Sequence, residues 1–548
     1  MHYQRYDLLL MCLLIVGGCR HSSVAVVATV PEAGETGVAP TVAVVATLSA
    51  PIGKASAPVF NLSAGAASLP ASVSLDQSGA ILTLRPERPL ALSTTYMAAV
   101  RAPGAAPTQE FYWSFATRDV TSWRFVDGGG LNRSPERDTY FPQLTVLGTK
   151  LYASWREMSY DWGPMQLRVA VYNGDDETPQ WKFVDGGDAT GINWDPEQHG
   201  FGVQLSAHNS KLYAIWQEKR PDVPVPRTRQ PLPRLTKDMV SPAHIRVAVY
   251  NGDDDAPAWR FVDGNTATGI NHDTAFNASY PQLTVCNNKL YATWMESNDR
   301  ARQIRVALYN GDDQTPEWNF VDGDGVGGIN RDPGAGGFNP QLTALGTKLY
   351  AVWEEHNGTA QQIRVVLYNG NDQAPAWSFV DGGGSAGINR DASRNAAAPE
   401  LTVHDSRLYA TWTEDNDGAT QVRVAVFDDS DDTPAWRLVD GNRAQGLNHD
   451  GKRRAYEPQL TAFGAKLYAT WYEGDHRGRG QIRVAVYNGN DRAPVWTFAD
   501  GNGKHGINKS VKRSAVDPQL TVFDSRLYIS WKELVGGRGH KVHVAVGQ

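Results

Sequence analysis

Trp318 to Gly323 reads W-N-F-V-D-G, and it is followed by G-I-N-R-D (328–332), P-Q-L-T (340–343), K-L-Y-A-V-W-E-E (348–355) and I-R-V-V-L-Y-N-G-N-D-Q-A-P (363–375). The opening Trp returns at Trp123, Trp181, Trp259, Trp318, Trp377, Trp436 and Trp496, spaced 58 to 60 residues apart except for a gap of 78 after Trp181. One unit is thus written seven times, and one copy carries an insertion. Each unit holds four short runs of Val, Ile, Leu, Tyr, Phe and Trp between Gly, Asn, Asp and Pro, the composition of strands and turns. No segment keeps a 3.6-residue apolar period. Four strands per repeat fit a β-propeller blade, so the expected fold is all-β with a seven-bladed propeller of four-stranded blades over 119–548. The last copy stops after its third strand at Val546, and Trp123 to Asp127 supply a strand of the missing type. The expectation is that this N-terminal strand closes the ring and removes its open edges.

A Glu at the end of the second run recurs with an Arg at the start of the third: Glu157 with Arg168, Glu218 with Arg246, Glu296 with Arg305, Glu355 with Arg364, Glu414 with Arg423, Glu473 with Arg483. In the last repeat the pair is Glu533 with His543. Repetition around a ring argues for architecture, and the expected contact is a cross-strand ion pair that sets Trp155 opposite Ala170 and Ala153 opposite Tyr172. The loops carrying Asn132, Asn193, Asn271, Asn330, Asn389, Asn448 and Asn508 read as Asx-type turns.

Asp176, Asp254, Asp313, Asp372, Asp431 and Asp491 each stand five residues before a repeat Trp. This resembles the Asp-box of sialidase-type propellers, although Pro takes one motif position and Thr or Ala replaces the usual Gly. The resemblance implies a structural turn rather than an active site.

Ahead of the repeats, Arg5, an apolar run from Leu8 to Val16, and Gly17-Gly18-Cys19 resemble a bacterial lipoprotein signal over 1–19. That resemblance implies cleavage before Cys19, lipidation of its thiol, and a lipid-anchored place in the cell envelope, at the outer membrane or cell surface. The apolar run is too short to span a bilayer as a helix. Residues 24–118 turn to Ala, Val, Ser, Thr and Pro. Their Pro31, Gly37-Val38, Leu82 to Pro86, Thr95-Tyr96 and closing W-S-F-A-T (113–117) resemble a bacterial Ig-like domain, a β-sandwich that implies a stalk.

A net charge of -7 with 20% charged residues gives no reason to expect nucleic acid. Three cysteines, two of them in or beside the signal, exclude a disulfide framework or a Cys-based zinc site. No nucleophile elbow, phosphate loop or H-E-x-x-H motif occurs, so no catalytic residue, metal or cofactor is assigned, and a monomer is expected. Of 17 Trp, only Trp162 and Trp194 fall outside the repeat and the Ig-like segment. Both lie in loops of the same rim, and an exposed Trp offers a flat face to a sugar or a partner. Beside them the inserted loop at 219–244 is rich in Pro and basic residues, Arg227, Arg229 and Arg234 among them, and reads as an arm that draws an anionic ligand. Glu197, Glu354 and Asp415 are specific to single blades, but nothing groups them. The reading is a non-catalytic binder of carbohydrate or a surface protein. A sialidase-like glycoside hydrolase and a purely structural display role are the alternatives.

Overall fold

The computed structural model describes residues 24–52, 58–101, 110–134, 136–158, 163–186, 190–219, 242–264, 268–323, 325, 327–382, 384–428, 435–441, 444–474, 479–501, 503, 506–510, 512–535 and 539–548. Cys19 with the signal segment, Trp162, Arg227, Arg229, Arg234 and nearly all of the 219–244 arm lie outside the described residues. The described chain is all-β and contains no helix. It divides into one unit of residues up to 90 plus Thr94–Arg118, and a second of Ala91–Ser93 plus Asp119–Gln548.

The first unit contains two four-stranded antiparallel sheets. One runs in the order Val26–Val30, Val44–Leu48, Ile81–Pro86, Ala71–Leu75, and the other Ala67–Ser68, Val59–Ala64, Thr95–Arg101, Phe111–Ala116. Burial alternates along Val44–Leu48 and Thr95–Arg101, as period-two side-chain placement requires when one face is covered. The inward residues, among them Val44, Leu62, Leu82, Leu84, Tyr96, Trp113 and Phe115, form a single core. The Trp113 indole N–H is satisfied by the Pro31 carbonyl at 3.0 Å.

The second unit contains seven four-stranded antiparallel sheets, numbered here by their first strands Asp138–Leu147, His199–His208, Ala278–Cys286, Gly337–Leu345, Ala396–His404, Ala455–Phe463 and Ala515–Phe523. The seventh takes its outer strand from the opposite end of the chain, with Ala545, Val546 and Gly547 paired to Phe125, Arg124 and Trp123. First strands touch in succession from sheet one to sheet seven, and Asp138–Leu147 packs on Ala515–Phe523 as well as on His199–His208. Second and third strands are buried on both faces, which is why they read as continuous apolar runs rather than alternating ones.

The repeated polar residues join neighbouring sheets. In P-Q-L-T the Thr hydroxyl donates to the Leu carbonyl of the next sheet: Thr284 to Leu342 at 3.0 Å, Thr343 to Leu401 at 3.0 Å, Thr402 to Leu460 at 2.9 Å, and Thr521 to Leu144 at 3.1 Å. The turn aspartates also clamp two sheets. Asp313 accepts Tyr309 of its own sheet at 2.9 Å, and Tyr213 and Lys211 of the preceding one at 3.0 and 2.5 Å. Sheet seven has no such turn, because the two ends of the repeat region meet there. Tyr468 of sheet six instead bonds Ser93 at 2.5 Å and receives the Val120 N–H at 3.2 Å.

Candidate functional site

The Glu and Arg of each repeat do not pair as expected. Strand register sets Trp155 opposite Arg168, Ala153 opposite Ala170 and Glu157 opposite Gln166, two residues away from the expected alignment. The reason is that each group finds a better partner. Arg168 reaches Asp185 of the V-D-G segment at 3.1 Å, and the same contact recurs from Arg246 to Asp263, Arg305 to Asp322, Arg364 to Asp381, Arg423 to Asp440 and Arg483 to Asp500, at 3.0 to 3.2 Å. All six pairs are buried, where a charge is tolerated only with a counter-charge beside it. In sheet seven His543 Nδ1 takes the Arg position against Asp127, and this partner holds the buried carboxyl below the usual range.

The Glu is left to cap the incoming loop. Glu218 accepts the Trp194 and Asp195 N–H groups at 3.0 and 2.7 Å and the Trp216 indole at 2.7 Å. Burial pushes its carboxyl up, while these donors and Arg246 pull it back down. The loop asparagines are staples: Asn271 accepts the Ile245 N–H at 2.9 Å and donates to the Ala243 and Phe276 carbonyls. Glu, Arg and Asn are thus all spent on scaffold.

Trp194 occupies the variable place in G-I-N-x-D, where the other sheets carry Arg133, His272, Arg331, Arg390, His449 and Lys509. Its ring is half-buried under the Arg246 guanidinium at 4.3 Å, as Arg133 and Arg331 lie over Phe183 and Phe379 at 5.0 Å. The residue that looked unexplained therefore fills a repeated packing position.

The chemistry that differs from sheet to sheet lies elsewhere. Every first strand is broken by a bulge, with pairing interrupted between Tyr140 and Gln143, Phe201 and Gln204, Ser279 and Gln282, and so on around the unit. The residue before the Pro (Val203 in sheet two) is in the left-handed region each time: Phe141, Gly202, Tyr280, Asn339, Ala398, Glu457 and Asp517, with φ between 49° and 57°. Such a conformation is costly for any side chain but glycine and recurs where function needs it. Its seven occupants are all different, whereas the P-Q-L-T that begins at the next residue barely changes. Phe141 and Tyr280 are 43% and 59% exposed, two of the few large apolar side chains open to solvent among the described residues of this unit.

Residues of sheets six, seven, one and two meet along this row. Asp517 accepts the Phe141 N–H at 3.1 Å and Lys532 Nζ at 3.0 Å. Glu457 hydrogen-bonds Asp517, and burial together with that neighbouring negative charge drives its carboxyl well above the usual range. Tyr472 stacks on Tyr456 at 5.0 Å, and burial raises its hydroxyl. The guanidinium of Arg156 lies over Tyr140, Phe141 and Phe201 at 4.4, 5.4 and 5.0 Å. Glu354, which nothing grouped in the sequence, sits in the same row: it accepts Asn339 Nδ2 at 2.6 Å and the Ala398 N–H at 2.7 Å, and burial raises it. Sequence reading missed the row because it sought unusual residue types. The available signal was a position that varies beside an almost invariant P-Q-L-T.

A separate cavity of about 440 Å³ is lined by Asn416, Ala444, Gln445, Asp450, Gly451 and Lys452 and offers no aromatic face. No cluster of three or more metal-ligating side chains occurs among the described residues.

Residues 21–117 match the bacterial Ig-like domain family. No curated protein matches the chain. Among solved structures it is similar to polysaccharide lyase Uly1, at 10% identity over 76% of this chain and 90% of that one, with a TM-score of 0.45. It is also similar to the Trypanosoma rangeli sialidase in complex with sialic acid, at 10% identity, 81% and 56% coverage and a TM-score of 0.38. The Hadza microbial sialidase Hz136 is similar at 11% identity, 72% and 75% coverage and a TM-score of 0.38.

Proposed function

We propose that the chain is a lipid-anchored cell-envelope protein whose seven sheets close into a seven-bladed propeller, and that the bulge row at the mouth of the ring binds a carbohydrate or a protein partner without turning it over. Closure is supported by Trp123–Phe125 completing sheet seven and by sheet one packing on both its neighbours. The observation that carries the binding reading is the row itself: seven different side chains at one strained position beside a nearly constant P-Q-L-T, two of them exposed aromatics of the kind on which sugar rings stack. Trp162, Trp194 and the arm with Arg227, Arg229 and Arg234 are proposed as a second contact region.

Glycoside hydrolysis is the second reading, favoured by the buried Glu457 carboxyl, raised well above its usual range beside Asp517. Hydrolysis by two carboxyl groups needs a gap of about 5 Å or more between them for the sugar or a water. These two are hydrogen-bonded to each other, which supports the binding reading instead. A glycan array run beside a panel of chromogenic glycosides separates the two. Selective binding without turnover, lost in Phe141→Ala and Tyr280→Ala but kept in the equally exposed control Val495→Ala, is the expected result. Turnover abolished by Glu457→Gln would establish the hydrolase. A fatty-acid probe should label the wild type and not Cys19→Ser, and a deletion of 118–130 that melts like the parent would refute ring closure.

A further inference from the structure

We infer that Arg156 is the docking point for an anionic group of the ligand, a carboxylate or a sulfate ester; this rests on the bulge row being the binding site. Arg156 stands opposite Tyr140 at the end of the second strand. The equivalent residues in the other sheets are Gln217, Met295, Glu354, Thr413, Tyr472 and Lys532, so the scaffold does not demand an arginine there. Three aromatic rings fix the plane of its guanidinium, yet rings accept no in-plane hydrogen bond. Among the described residues it makes no ion pair, and its Nε is buried with no hydrogen-bond partner. Burial pulls its pKa downward, the sign of a cation short of compensation.

The nearest carboxylate is already committed. Asp517 serves Lys532, the Phe141 N–H and Glu457, whose own carboxyl is pushed well above its usual range. Lys532 lies over the same two rings as Arg156, 4.4 Å from Tyr140 and 5.3 Å from Phe141. Two cations, Arg156 and Lys532, thus share these rings while, among the described residues, only Lys532 has an ion-pair partner, on a protein whose net charge is -7. A planar guanidinium with free donors, held beside the exposed Phe141 ring, matches an acidic sugar: the ring stacks while a carboxylate or sulfate takes the paired N–H groups.

The test compares matched oligosaccharides in neutral, uronate and sulfate-ester forms, measured by titration calorimetry on the whole protein. The acidic forms should bind at least about tenfold more tightly than the neutral one. Arg156→Gln should erase that preference, and Arg156→Lys should retain part of it. Whichever acidic form shows the Arg156-dependent gain identifies the group. Melting curves of both variants report folding, and an Arg156→Lys that folds but loses as much as Arg156→Gln still places the guanidinium at the anion. Equal binding of neutral and acidic forms, or an unchanged preference in folded Arg156→Gln, overturns the inference. If neutral binding remains sensitive to Phe141→Ala, the bulge row survives as the site; if no form binds, both readings fall.

Discussion

Replacing Glu400 by Gln should stabilise the protein, and increasingly so as pH rises. Glu400 occupies the Gln position of P-Q-L-T in sheet five, where the other six sheets carry Gln143, Gln204, Gln282, Gln341, Gln459 and Gln519. Such a Gln bridges to the next sheet: Gln204 accepts the Leu283 N–H at 2.8 Å, and Gln519 accepts the Leu144 N–H while its amide reaches the Leu144 carbonyl at 3.5 Å. Glu400 accepts the Leu460 N–H in the same way, but its Oε2 is buried without a partner, and burial lifts the carboxyl from its ordinary 4.5 to about 8. A protonated Glu400 can do what the amide does; an ionised one cannot. Because the folded state holds this proton more tightly than the unfolded chain, stability is greatest below pH 4.5 and falls as pH rises to about 8. That interval sets a ceiling of about 5 kcal/mol. Partial solvent access to the side chain reduces the working figure to about 2–3 kcal/mol. Thermal melts of wild type and Glu400→Gln at pH 4.5 and pH 8.5 should nearly coincide at the lower pH and separate by about 2–5 °C at the higher. A separation that does not change with pH, or one that shrinks as pH rises, would refute the reasoning.

Two further outcomes are expected from the scaffold. Ala398 is held at a φ of 52°, so Ala398→Gly, which keeps the N–H donated to Glu354, should stabilise by about 1 kcal/mol in urea unfolding; a loss of stability would show that the methyl group packs usefully. Arg364→Met removes the buried counter-charge of Asp381 and should cost about 3–5 kcal/mol; a cost below about 1 kcal/mol would show the pair to be dispensable.

The architecture was readable because each repeat states its strands, turns and ends separately, and because the strand missing from the last copy stands at Trp123. The register was not. Which residue faces Glu157 is fixed by the loop between the second and third strands and by the claims of Asp185 and the loop N–H groups, and none of these is local to the pair. The bulge row was hidden for a different reason: Phe141 and Tyr280 are ordinary residues, and only their backbone angle and exposure set them apart. Trp194 shows the converse, a rare residue type placed where six other sheets put a cation or a histidine.

The bulge also separates two kinds of change. A left-handed residue followed, in six of the seven sheets, by Pro keeps the strand in step whatever side chain it bears, provided that side chain is unbranched at Cβ, and none of the seven occupants is β-branched. Descendants of this chain can therefore exchange the exposed members of the row, Phe141 and Tyr280, one at a time without rewriting the frame that carries them.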